Sequence, residues 1–375
     1  MFALGTGSFV IAGILGQIAA ELDASVAATG QMVTLYALSY ALLSPLIAAT
    51  TANWPPRRLL LSALAIFTLG NLLTAVATSL GMVLASRVIA GMGAAIYSPT
   101  ATTAAAMLVP PAQRGRALSI VLAGLSGATA LGAPIATALG GFGGWRVTMA
   151  FVTAVGATTA LSIWRLLPVM ASPPPMALRQ RLAPLRDPRI LPVILTTLVA
   201  YSGFFAVYTY IAPVFARATG GQANSLALLL MIWGVAATIG NLVAGALSDR
   251  FGTRWAINGT LAAGSLNFLL LHWSAASFPT AVAAVVVWGI CGWGLHVPQQ
   301  HRLIGLAPAS APVLLGLNTA AMYTGISVAA VTGGAVLARF GAIGIGFTAA
   351  VLVASGLLCA EWAAKRMSRT GPVVA

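Results

Sequence analysis

Apolar positions in this chain neither alternate with polar ones nor keep to one face of a helix. They run on for about 20 residues at a time and stop at short gaps marked by Arg, Pro or Gly. Twelve such runs follow one another, at approximately 1–20, 28–50, 59–78, 82–108, 117–139, 146–168, 190–213, 224–247, 255–273, 280–301, 312–337 and 342–363. Each is long enough to cross a hydrocarbon core as a helix, and none shows the ten-residue alternation of a membrane barrel strand. The pattern predicts an all-α integral membrane protein with twelve transmembrane helices.

The longest gap falls at the middle of the chain and carries Pro173-Pro174-Pro175 and four Arg. It reads as a linker, residues 169–189, between six-helix bundles at 1–168 and 190–375. A shift of about 196 residues lays Gly7-Ser8-Phe9 on Gly203-Phe204-Phe205 and the segment from Ala52-Asn53 to Arg57-Arg58 on that from Ser248-Asp249 to Thr253-Arg254. The halves thus read as a pseudo-symmetric repeat, and transporters built this way bind substrate where the repeats meet. In the same register Arg189 to Leu195 map before Met1, so the first span reads as clipped at one end.

Composition sharpens this picture. Hydrophobic residues make up 59% of 375 positions and charged ones 6%, with a net charge of +14, too few charges for an ordinary soluble surface. The basic residues are spread through the gaps rather than gathered on one face or tail, which argues against nucleic acid as partner. Taking gaps alternately, one set holds fourteen Lys and Arg and the other three, Arg146, Arg217 and Arg339. The positive-inside rule puts the richer set, and both termini, in the cytoplasm. Cys291 and Cys359 lie inside apolar runs, so neither a disulfide framework nor a metal cluster is indicated. With no carboxylate pair or nucleophile constellation, an enzyme is not expected, and no cofactor is implied.

Three motifs carry chemistry. Gly245-Ala-Leu-Ser-Asp249-Arg250-Phe-Gly252-Thr-Arg254 follows the eighth span, and Asn53 with Arg57 and Arg58 forms a degraded first-half copy. Arg87 sits inside the fourth run, in Arg87-Val-Ile-Ala-Gly91-Met-Gly93, where a charge is costly unless it faces a wet cavity or a partner. The fifth run has a small residue every fourth position, Gly124, Ala128, Gly132, Ala136 and Gly140, with Pro134 among them, a stripe that allows close helix approach and a hinge.

Together these motifs resemble the major facilitator superfamily over essentially the whole chain, and within it the twelve-span drug:proton antiporter branch, similar to arabinose-type and purine-nucleoside efflux permeases. The resemblance implies an exporter of a small drug-like or metabolite molecule in a bacterial inner membrane, working as a monomer by alternating access in exchange for protons. It implies that the Asp249 loop latches the outward-facing state. It also places a proton-binding carboxylate in the first span, where this chain has Ser8 in Gly5-Thr6-Gly7-Ser8-Phe9-Val10. A uniporter, or a transport-dead sensor or scaffold, is the alternative that this substitution opens. His296 is the candidate to carry the coupling proton, since imidazole titrates near neutrality, while Arg87 supplies a fixed field. Gln17, Tyr36, Tyr40, Tyr208, Trp293, Asn318 and Tyr323 are the candidate substrate contacts, being polar or polar-tipped aromatic groups on spans that line the family's cavity.

Overall fold

A computed structural model describes residues 1–51, 54–110, 113–170 and 187–369. Asn53 and most of the expected linker, with Arg179, Arg181 and Arg186, lie outside the described residues. Those described form helices and short turns, with no strand among them. Span 1 is the bent pair Phe2–Phe9 and Ile11–Glu21, at 46° to each other. Span 2 is Val26–Thr50, span 3 Pro56–Ala75 and span 4 Leu80–Met107. Ser25 and Ser79 cap spans 2 and 4, each accepting a hydrogen bond from a backbone N–H of the first turn.

Two helical stretches are too long for one crossing. Arg116–Leu166 has 51 residues and Val313–Ser368 has 56, against about 20 for a single pass. Each is broken by one glycine, Gly144 (φ 78°, ψ 169°) and Gly341 (φ 68°, ψ −169°), an extended positive-φ conformation that essentially only glycine adopts. These breaks separate span 5 from span 6 and span 11 from span 12. They stand 197 positions apart, close to the offset of the sequence repeat. Span 5 begins as Arg114–Gly127, passes through a π turn at Ala128–Gly132 and continues from Ala133. Span 7 is Ile190–Thr209 and span 8 is Ala223–Phe251. Span 9 is Thr253–Leu269 with the short Leu271–Ser274, and span 10 is Phe278–Gly294 continued by His296–Leu306. The arrangement accommodates twelve passes.

The packing repeats as well. Spans 2 and 4, 3 and 6, and 1 and 5 pack together in the first half; spans 8 and 10, 9 and 12, and 7 and 11 do so in the second. The halves meet through span 2 on span 11 and span 5 on span 8, pairs that exchange under the pseudo-twofold. Close cross-half approaches cluster near the end bearing Gly144: Gly30 against the Tyr210 hydroxyl, Gly334 against Ala27, and Gly141 against Ala223, while Gly234 meets Thr129 at mid-span. Toward the other end, where Arg57 lies, Gly305 and Gly316 have open space around them.

Three sequence boundaries shift. The gap between spans 10 and 11 begins later than expected, so Arg302 lies inside a helix and is buried, its guanidinium donating to the Ala360 carbonyl at 3.4 Å. Spans 5 and 6 run as one helical stretch because a single glycine suffices for the reversal. Span 1 is broken at Val10, where no Gly or Pro marks the sequence.

Candidate functional site

Spans 1, 2, 4, 5, 7, 10 and 11 converge on a cavity at the junction of the halves. Its walls include Ser8, Phe9, Tyr36, Arg87, Tyr208, Trp293 and Tyr323. The space left between them is about 30 Å³, far below the ~300–1,000 Å³ of a drug-sized site. The aromatic side chains have closed on one another. Tyr40, which does not itself border the cavity, stacks on Tyr323 with centroids 3.8 Å apart, bridging spans 2 and 11, and Phe9 packs edge-on against Tyr208 and Trp293 at 5.8 and 6.2 Å. The Tyr208 hydroxyl donates to the Phe9 carbonyl at 3.0 Å, so both halves are tied at the cavity by one residue of span 7.

Arg87 is 1% exposed. Its two terminal nitrogens donate to Asn71 Oδ1 at 3.2 Å and to the Gly7 carbonyl at 3.1 Å, and its Nε has no partner. The guanidinium carbon lies 4.4 Å from the Tyr36 ring centre. Gly7 itself lies close against Phe67 and Val152, with no room for a side chain. Sequence reasoning missed Asn71, a buried polar residue of span 3 whose use appears only once Arg87 is in place. Beyond Tyr36 runs a set of hydroxyls: Ser8 Oγ is 2.7 Å from the Tyr36 hydroxyl and also bonds Tyr323, while Tyr40 bonds Ser98.

His296 follows the break in span 10 at Leu295, half-buried. Its Nε2 is 2.9 Å from Gln300 Nε2 and its Nδ1 is 3.5 Å from the Tyr201 hydroxyl, with Trp293 at 5.9 Å between ring centres. It stands beside the cavity, behind Trp293. Gln17 lies on span 1 toward the Gly144 end, its Oε1 unpartnered, and does not border the cavity. Neither does Asn318, which accepts a hydrogen bond from Thr197 at 2.6 Å. Gln299 donates to the Val193 carbonyl and to Thr197, so spans 7, 10 and 11 share a buried polar cluster that sequence reasoning did not assemble.

The Gly245 to Arg254 segment lies at the Arg57 end and is helical except at Gly252, the junction of spans 8 and 9. Asp249 is exposed and makes no ion pair among the described residues, Arg250 lies over the Phe251 ring at 5.1 Å, and Gly252 ends span 8 at φ 83°. Arg254 instead reaches span 12, its Nε 3.0 Å from Glu361 Oε1. Arg57 donates to the Trp164 carbonyl, and Arg58 is exposed. Nearby, the Arg189 guanidinium hydrogen-bonds Asp187 and holds its carboxyl below the usual carboxylate range. At the opposite end Glu21 pairs with Arg146 and accepts from Trp145 Nε1 at 2.7 Å, closing span 1 onto the start of span 6.

The small-residue stripe faces span 1. A β-carbon at Gly132 would collide with Thr6 Oγ1, one at Gly124 would lie 3.2 Å from Met1 and Phe2 atoms, and one at Gly140 would lie 3.1 Å from Ile14. Pro134 stands two residues after the π turn ends at Gly132, so the hydrogen-bond ladder is already opened there.

Comparison with known proteins places this arrangement. The family model for the Major Facilitator Superfamily matches residues 1–308. A chloramphenicol resistance protein of Streptomyces lividans is 32% identical, covering 96% of this chain and 92% of its own. The inner membrane transport protein YdhP of Escherichia coli is 29% identical over 98% and 95%. Among solved structures, a bacterial homolog of the human lysosomal transporter Spinster, in an inward-facing and occupied conformation, superposes with a TM-score of 0.78 at 17% identity, over 98% of this chain and 95% of that one. The xylose transporter XylE from E. coli gives 0.72 at 17%, over 99% and 95%. These two share the fold. The family match spans well over half of the chain and agrees with the repeat, the glycine-broken span pairs and the cavity between halves, so this is a multi-pass membrane transporter, not an enzyme, and the chain belongs to the Major Facilitator Superfamily.

Proposed function

We propose that this transporter exports a small aromatic or amphipathic molecule from a bacterial cytoplasm, as a monomer, by alternating access in exchange for protons. The bundles 1–168 and 190–375, joined by the linker 169–189, rock about the central cavity. The Arg-rich turns and both termini lie inside the cell by the positive-inside rule, which makes the Gly144 end the outer one. This conformation is then closed to the outside, and the Asp249 carboxylate, without an ion pair among the described residues, fits a segment that latches the opposite state. Span 5, with its π turn and Pro134, is the hinge.

The observation that carries the reading is the cavity itself. Phe9 and Tyr36 come from one bundle, Tyr208, Trp293 and Tyr323 from the other, so any rocking motion opens or closes the aromatic cage around a guest. Parting the Tyr40–Tyr323 stack makes the room a guest needs. The Streptomyces lividans relative makes chloramphenicol the first compound to test. Expression in a host deleted for its own efflux pumps raises resistance to it and lowers its accumulation, and unchanged accumulation across a panel of aromatic antibiotics contradicts export.

For the proton we keep His296, whose imidazole sits between Tyr201 and Gln300 behind the cage. In proteoliposomes the His296→Ala variant loses the dependence of transport on an imposed pH gradient. One observation favours a second reading, uniport: Ser8 occupies the first-span position at which the branch holds its proton-binding carboxylate, and its hydroxyl is engaged with Tyr36. A parent protein whose flux ignores the pH gradient selects that reading.

A further inference from the structure

Arg87 has no negative partner among the described residues. Of the five acidic residues, Glu21 pairs with Arg146, Asp187 with Arg189 and Glu361 with Arg254, while Asp23 sits on a turn and Asp249 in the last turn of the span 8 helix, at opposite ends. None borders the cavity. We propose that the cavity takes an aromatic guest bearing one carboxylate, and that Arg87 selects it by serving as its counter-ion. This rests on the cavity being the transport site and adds the charge of what it carries.

A guanidinium offers five N–H donors. Here the protein answers with two neutral oxygens, Asn71 Oδ1 and the Gly7 carbonyl, and the face of Tyr36, leaving Nε unpartnered at a side chain 1% exposed. A buried charge that is neither neutralised nor fully hydrogen-bonded is costly. Ser8, placed to hold a neutralising group, offers a hydroxyl directed at Tyr36. A cationic guest brings a like charge into this wall. A carboxylate guest supplies what the protein lacks, through charge-assisted hydrogen bonds about twice as strong as neutral ones, while its ring packs among Tyr36, Phe205 and Trp293.

The test is equilibrium binding to the purified full-length protein in lipid nanodiscs, with three probes sharing one ring system: 1-naphthoate, 1-naphthamide and 1-naphthylmethylammonium. Naphthoate binds about tenfold or more tighter than naphthamide, a difference that one charge-assisted contact supplies, and the ammonium probe does not bind measurably. Arg87→Gln removes the preference of naphthoate over naphthamide. Should that variant misfold, Ser8→Asp gives the same information, because a built-in carboxylate beside Tyr36 competes with the guest and drops naphthoate affinity at least tenfold. Equal binding of the three probes, no naphthoate binding, or an unchanged preference in a folded Arg87→Gln or Ser8→Asp variant overturns the assignment. Chloramphenicol export with equal probe binding defeats this inference alone, whereas absence of any flux defeats the export reading whatever the probes do.

Discussion

Gly234 offers a clean way to bias the rocking equilibrium. It lies on span 8 where that span meets span 5 of the other half, and a β-carbon there would fall 2.6 Å from the Ala130 Cα, with the Thr129 backbone nearer still. These are backbone atoms, so the helices must part by about 1 Å to restore ordinary contact, and overpacking of that kind costs ~1–3 kcal/mol. The cost falls on this conformation, in which spans 5 and 8 touch backbone to backbone at mid-span. Alanine's helix propensity, better than glycine's by ~1 kcal/mol, acts in both conformations and cancels. Gly234→Ala therefore shifts the population toward the state open at that end by about 5- to 150-fold. The assay uses Thr29→Cys, a buried site beside the closure, in a Cys291→Ser, Cys359→Ser background, labelled from outside by a membrane-impermeant maleimide. The parent labels slowly, and Gly234→Ala labels faster by that factor. A monodisperse Gly234→Ala protein labelling within about twofold of the parent refutes the reasoning.

Asp249→Ala leaves the thermal stability of the purified protein nearly unchanged, as substitutions at exposed sites without partners do, within about 0.5 kcal/mol, yet lowers transport by weakening the opposite state; a large fall in Tm contradicts it. For Asp187 the folded pKa lies below the unfolded value of about 3.9, so its contribution is present above that value and lost as pH falls through the folded one. The Tm difference between parent and Asp187→Asn accordingly stays constant from pH 8 to 5 and shrinks only below about pH 4. Shrinkage between pH 8 and 5 shows that another group sets it.

The spans were legible because a bilayer imposes a length and an apolarity that few soluble helices share, and the Arg-bearing turns punctuate them. The breaks were less so. Nothing in the triplet Phe9-Val10-Ile11 announces the bend in span 1. Gly144 and Gly341 are two of forty glycines, and only the backbone path distinguishes them from glycines such as Gly132, which serve close approach. At the site, Arg87 declared itself because a charge deep in an apolar run demands an explanation. Asn71 and the cluster of Thr197, Gln299 and Asn318 did not, since amides and hydroxyls are common in membrane helices and their pairing depends on which spans adjoin. Arg302 read as a turn residue because it stands near the end of its run, and its burial against Ala360 comes from span 12 lying across that turn.

The central claim is that two related bundles rock about the cavity, with the Gly144 end closed in one state and open in the other. Gly141 on span 5 and Ala223 on span 8 belong to different halves, and a β-carbon at Gly141 would stand 2.8 Å from that of Ala223, near enough for a disulfide after a small relaxation. In the Cys291→Ser, Cys359→Ser background, the double variant Gly141→Cys, Ala223→Cys cross-links on oxidation in proteoliposomes. The account predicts that transport stops when the bond forms and returns on reduction. Full transport by the cross-linked protein contradicts it.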